Sequence, residues 1–172
     1  MRLISKKQIM IHLYFKALLV SLFFFCVQFD GLTQTVQQEK MAQLDYMIGE
    51  WVGKSKGYED GALVREEPAF ERISYDLDSS IIVLELHSES LQLHTIIYYD
   101  ETDATYYYHP FSKTGNGRAP ATFENGQLVV HSSETRRYFF CKTANRGFRE
   151  YGQRLSNGTW TTYFQDDFVN TK

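Results

Sequence analysis

The sequence predicts an all-β chain: a single antiparallel meander of about ten strands closed into a barrel, with a short helix before the first strand. Three observations carry this expectation. Beyond Met47 the helical apolar period disappears, and short runs rich in Ile, Val, Tyr, Phe and Thr take its place. Turn-forming residues interrupt those runs nine times, from Glu59-Asp60-Gly61 to Ser156-Asn157-Gly158. Within the runs apolar and polar residues alternate, as in a sheet with one dry face.

The first residues read as a targeting segment. Met1 to Lys16 carries Arg2, Lys6, Lys7 and Lys16 without an acid, and Ala17 to Phe29 is apolar for 13 residues. A basic start and an apolar run too short to span hydrocarbon form the pattern of a signal peptide, here residues 1–33 with a cut before Gln34. An uncleaved anchor is the alternative. Cys26 invites a lipoprotein reading, but that processing needs a small residue before the Cys. Phe25 stands there, so Cys26 reads as an apolar residue of the signal.

Residues 34–172 then form one domain of 139 residues, exported to a periplasmic or extracellular location. The signal takes four of the 18 basic and one of the 21 acidic residues, leaving 14 against 20 and a net charge of −6. A moderately acidic domain without a basic cluster is a poor partner for nucleic acid, whose binding rests on neutralising phosphates. Only Cys141 remains, so stability must come from buried apolar surface rather than an internal disulfide.

Met41, Leu44, Met47 and Ile48 recur at helical spacing, which predicts one or two helical turns over 41–47. The strands are expected near 50–58, 62–75, 81–88, 91–99, 104–111, 117–124, 127–131, 134–143, 147–155 and 159–168. Asn125-Gly126 and Asn157-Gly158 are the sharpest turn signals, because two-residue hairpins want positive φ at both central positions. Asn157-Gly158-Thr159 also matches a glycosylation sequon. Ile82, Leu84 and Leu86 are expected on the dry face, as are Leu91, Leu93 and Ile97, and later Trp160, Phe164 and Phe168. Ten short strands without covering helices must close or fold over; a two-sheet sandwich is the other solution.

In the stretch "LDYMIGEWVGKSKG", Trp51 stands between Gly49 and Gly53 on the first strand. A Trp there can plug one end of a barrel while its indole N–H finds a partner. Together with Tyr99-Asp100 and Gly158-Thr-Trp160, the Gly49-Glu-Trp51-Val-Gly53 motif resembles the calycin superfamily, which includes the lipocalins and fatty-acid-binding proteins. More narrowly it resembles exported bacterial families of the DUF1579 kind. The layout covers residues 41–168, and its motifs are short. The resemblance implies a cup for a hydrophobic or amphiphilic small molecule. Nitrobindin-like haem barrels share the Gly-x-Trp-x-Gly opening but supply an axial His late in the chain. Here no His follows His131, so no cofactor is expected.

Candidate pocket contacts come from polar residues on positions that read as inward: Arg72, Thr95, Tyr99 and Glu150, with Tyr108 from the tyrosine hairpin. An inward acid and base such as Glu150 and Arg154 would hold a ligand carboxylate or close the barrel as an ion pair. Consecutive tyrosines at 98–99 and 106–108 must divide between the two faces. Gly115-Asn-Gly117-Arg118 reads as a loop at the barrel mouth, with Arg118 placed to meet an anionic ligand. His87, His94, His109 and His131 lack metal-ligand spacing, so no metal is expected, and Cys141 reads as an inert buried thiol. No nucleophile elbow or Walker loop is present.

A non-enzymatic binder of a small hydrophobic or amphiphilic molecule is therefore the leading expectation, with no stable membrane insertion after signal cleavage. A cell-envelope interaction module using tyrosines such as Tyr106 and Tyr108 on its surface is the alternative. An acid–base enzyme built on His109 and Glu150 stays open as a third.

Overall fold

The structure, a computed structural model, describes residues 35–172. The expected signal segment 1–33, its cleavage point and Cys26 lie outside the described residues. Thr35 starts the first helix, α1 (Val36–Ala42): its hydroxyl accepts from the Gln38 amide, and the Gln38 side chain accepts from the Thr35 N–H. This reciprocal cap satisfies two donors that a short helix would otherwise leave open. A single 3₁₀ turn, Asp45–Met47, leads into the sheet.

The strands are β1 (Gly49–Glu59), β2 (Ala62–Asp76), β3 (Ile81–Ser88), β4 (Gln92–Asp100), β5 (Thr105–Ser112), the two-residue β6 (Gly115–Asn116), β7 (Ala119–Glu124), β8 (Gln127–Ser133), β9 (Arg136–Lys142), β10 (Gly147–Ser156) and β11 (Thr159–Asn170). Setting aside β6, which only extends the hairpin after β5, the strands form a meander in chain order. β1 pairs with β11, and every pairing is antiparallel. That pairing runs from Trp51↔Asn170 to Gly57↔Phe164 and closes the sheet into a ten-stranded barrel. The sandwich alternative is thereby excluded, since a closed sheet leaves no edge to fold over. Both Asn-Gly turns behave as their chemistry demands, with φ of 53° and 75° at Asn125 and Gly126, and 51° and 76° at Asn157 and Gly158.

One end of the barrel is filled. Met41, Leu44 and Met47 have no exposed surface. Trp51 packs at a tilt against Phe148, with ring centroids 5.3 Å apart, and donates its indole N–H to the Met47 carbonyl at 2.8 Å. Three tyrosine hydroxyls serve this lid. Tyr106 donates to the Lys40 carbonyl at 2.7 Å, Tyr75 to the Met41 carbonyl at 2.9 Å, and Tyr46 to the Phe140 carbonyl at 2.6 Å. The carbonyls of Lys40 and Met41 also accept from the Gln43 and Leu44 amides, and the Tyr106 and Tyr75 hydroxyls add a second bond to each, fastening α1 to the barrel. Tyr106→Phe is expected to lower stability by about 1 kcal/mol, or roughly 3 °C in melting temperature. Hydrogen exchange should speed up first in residues 36–47.

Two bulges correct the expected faces. Between Gly57 and Tyr58 the register with β2 shifts by one, since Gly57 pairs with Arg65 but Tyr58 with Leu63. From there on, Glu67, Ala69, Glu71 and Ile73 point inward, while Phe70 and Arg72 point out. A second shift lies beside Gly152, where Gly152 pairs with Phe164 but Gln153 with Thr162. Phe164 and Phe168 face in as expected. Trp160 instead lies on the outer face, 4.1 Å from the Arg137 guanidinium, where its ring and the cation attract each other.

Candidate ligand cavity

The lumen is packed around the lid and hollow beyond it. A cavity of about 360 Å³ opens where Ser55 and Arg65 stand further along β1 and β2 from Trp51. Leu86, Leu93, Phe140 and Phe164 provide its apolar wall; Tyr108, Glu150 and Asp166 provide polar lining. Its size falls at the small end of ligand pockets. A second hollow of about 370 Å³ lies between Glu85, His94 and Phe111 on the outer face of β3, β4 and β5. That hollow is a surface groove without buried polar groups, so the lumen is the better candidate site.

The polar side of the cavity is a row across four strands. Glu150 on β10 pairs in register with Asp166 on β11, Asp166 with Ser55 on β1, and Ser55 with Glu67 on β2. Glu71, opposite Trp51 on β2, lies close to Glu150. Glu71 is 0% exposed, Asp166 3% and Glu150 7%. Among the described residues no basic side chain lies within ion-pair distance of any of the three.

Burial of these charges has a predictable effect. Removal from water favours the neutral acid and pushes Glu71 up to about 8, a rise that the Asp166 charge reinforces and the hydrogen bond with Glu150 opposes. Glu150 is held well above the ordinary carboxylate range by burial, and next by the like charges of Glu71 and Asp166. Asp166 rises to about 6, again mainly through burial, with Ser55 and Arg65 pulling the other way. As two carboxylates, Glu71 and Glu150 can only accept, and both Glu71 oxygens and Glu150 Oε1 then lack partners. One proton held between them turns the repulsion into a hydrogen bond. Asp166 Oδ1 and Thr95 Oγ1 also have no protein partner.

Glu67, at the end of the row, is the contrast. It accepts from Ser88 Oγ at 2.7 Å, Ser90 Oγ at 2.5 Å and the Ser90 amide at 3.2 Å, and these donors hold its carboxyl below the usual range. Arg65 stands 3.9 Å from it and also donates to Ser90. The rim of the cavity is thus charged and satisfied, while the depth is acidic and unsatisfied.

The expected site residues divide. Thr95, Tyr108 and Glu150 face the lumen, and Glu150 and Tyr108 line the cavity itself. Burial drives the Tyr108 hydroxyl far up, with the Glu150 charge adding to it and the neighbouring Thr95 hydroxyl opposing. Tyr99 is buried but belongs to the lid: it meets Tyr106 edge-on at 5.0 Å, and its carbonyl accepts from Gln37. Arg72 is corrected outright. It lies outside, donating through Nε to Glu85 at 2.7 Å, because the extra residue of the bulge in β2 reverses the parity assumed for the rest of that strand.

Other expectations shift as well. Arg154 shares the inward parity of Glu150 but is exposed, so the expected Glu150–Arg154 pair does not form. Arg118 lies 3.4 Å over the Tyr107 ring and donates to the Tyr98 hydroxyl, so its charge serves the outer tyrosines rather than the lumen. Tyr106 and Tyr108 are only 5% and 6% exposed and offer no surface for a protein partner. His109 stacks on Phe111 outside the barrel and does not meet Glu150. Cys141 is half-buried on the outer face, and burial raises its thiol.

Reasoning from sequence missed Glu71, Asp166 and Ser55. The available signal was the acid spacing Glu67-x-x-x-Glu71 in the longest strand, which puts both carboxylates on one face at period two. Among the described residues, no group of three His, Cys, Asp or Glu side chains is arranged to hold a metal ion, and no helix is long and apolar enough to cross a membrane. No family model matches the chain, and no curated protein matches it.

Proposed function

We propose that this chain is an exported, non-enzymatic binding protein that holds a small amphiphilic molecule in the lumen of a calycin-like barrel. The observation that carries this reading is a cavity with an apolar wall on one side and unpartnered buried acceptors on the other. Unfilled polar atoms at that depth are costly unless something meets them. A ligand with a polar head and an apolar tail does so without rearranging the wall.

Native mass spectrometry before and after extraction with organic solvent tests the reading, together with displacement of a fluorescent lipid probe. Leu86 is 4% exposed and on the cavity wall, so Leu86→Trp should fill the space. The expected result is a loss of probe affinity of at least about tenfold with the melting temperature held within roughly 5 °C. A parent protein that carries no bound species and displaces no probe overturns the proposal.

A further inference from the structure

The cavity's polar end has a chemical preference, and the inference drawn from it rests on the binding reading above. Glu150 and Asp166 both line the cavity, both are more than nine-tenths buried, and each carries one oxygen without a protein partner. Glu71 stands behind Glu150 and adds a third acid to the same small volume. The other polar groups on the wall are hydroxyls: Ser55, Tyr108, Tyr138 and Tyr163. Arg65 is the one basic side chain on the wall among the described residues, and it is engaged by Glu67 and Ser90 at the rim.

From this arrangement we infer that the ligand's head group is a protonated amine. An ammonium brings three donors and one positive charge to a site offering free acceptor oxygens and the uncompensated charge of Asp166. A carboxylate head would set a second negative charge beside Asp166 and bring no donor to the free acceptors. A neutral hydroxyl head satisfies one acceptor and no charge. The tail lies against Leu86, Leu93, Phe140 and Phe164.

The experiment compares three probes with the same eight-carbon tail: octylammonium, octanol and octanoate. Each is titrated calorimetrically into the purified protein at pH 7.5. Octylammonium is expected to bind about tenfold more tightly than octanol and at least about a hundredfold more tightly than octanoate. Asp166→Asn should bring octylammonium down to the level of octanol. Octanol or octanoate binding as tightly as octylammonium overturns the head-group assignment and leaves the binding reading standing. So does binding of the lipid probe with none of the three. Failure of all three and of the lipid probe overturns both. The comparison in the parent protein decides the matter even where the Asn variant fails to fold.

Discussion

Stability is expected to fall as the pH rises from about 4.5 to about 8, the reverse of the acid denaturation usual for proteins of this charge. The cause is the buried acid group. Glu71 is raised from 4.5 to about 8 and Asp166 from 3.8 to about 6, and Glu150 is raised too; burial comes first in each case. A carboxyl raised in the folded state is neutral there while its unfolded counterpart ionises. The stabilising contribution is therefore complete below the unfolded value and drains away until the folded value is reached. Per group the slope is about 1.4 kcal/mol per pH unit within its window. Because the acids share protons, a combined loss on the order of 3 kcal/mol is the reasonable scale.

Urea midpoints at pH 5 and pH 8.5 measure this directly. Paired substitution Glu71→Gln with Glu150→Gln should flatten the curve, since an amide carries no proton to release, leaving only the weaker dependence from Asp166. Carboxyls with lowered values oppose the trend. Asp167, held down by Lys56, Gln165 and Arg149, and Glu67, held down by the two serines, lose their contributions only as the pH drops below their ordinary values of 3.8 and 4.5. A parent protein whose midpoint climbs steadily from pH 5 to 8.5 would show that the three acids are not buried as described.

Gly53→Ala should be the most damaging single methyl that can be added to the fold. A Cβ at Gly53 would sit 1.9 Å from the Asp167 carbonyl oxygen, 2.8 Å from its carbon and 3.0 Å from the Phe168 Cα. All three are backbone atoms of β11, so no side-chain rotation relieves the clash. The two strands must part, and they are the pair that closes the barrel. A loss of at least about 3 kcal/mol is expected, with most of the protein recovered insoluble.

Gly126→Ala is the control. Nothing lies within 4 Å of its Cβ, and its φ of 75° sets a penalty of about 1 kcal/mol. If Gly53→Ala melts no lower than Gly126→Ala, then β1 and β11 do not approach as closely as the barrel requires.

These two expectations come from different levels of the molecule. Trp51 between two glycines was legible as a plug because a large aromatic on a first strand has few other uses, and Gly53 proves to be the contact that lets β11 pass. That the tyrosines divide between faces was legible too, but the folded sheet decided which way: Tyr98 and Tyr107 face out, and Tyr99, Tyr106 and Tyr108 face in. Arg72 was misplaced for a reason equally plain. Counting back from the Asp60-Gly61 turn without a bulge sets Phe70 opposite Trp51, which makes Arg72 an inward residue. One extra residue near Val64 moves Glu71 into that place instead.

The amino-acid order alone settled the strand number, the hairpin sites and the antiparallel meander, because turn propensity and alternation act within a few residues. The acid row Glu150, Asp166, Ser55 and Glu67 comes from β10, β11, β1 and β2, joined only where the two ends of the sheet meet. Which polar groups face one another there depends on closure, which pairs segments more than a hundred residues apart, and on two bulges, one in each of the hairpins that flank it. Local pattern determined the staves of the barrel; only the closed sheet decided what its hollow holds.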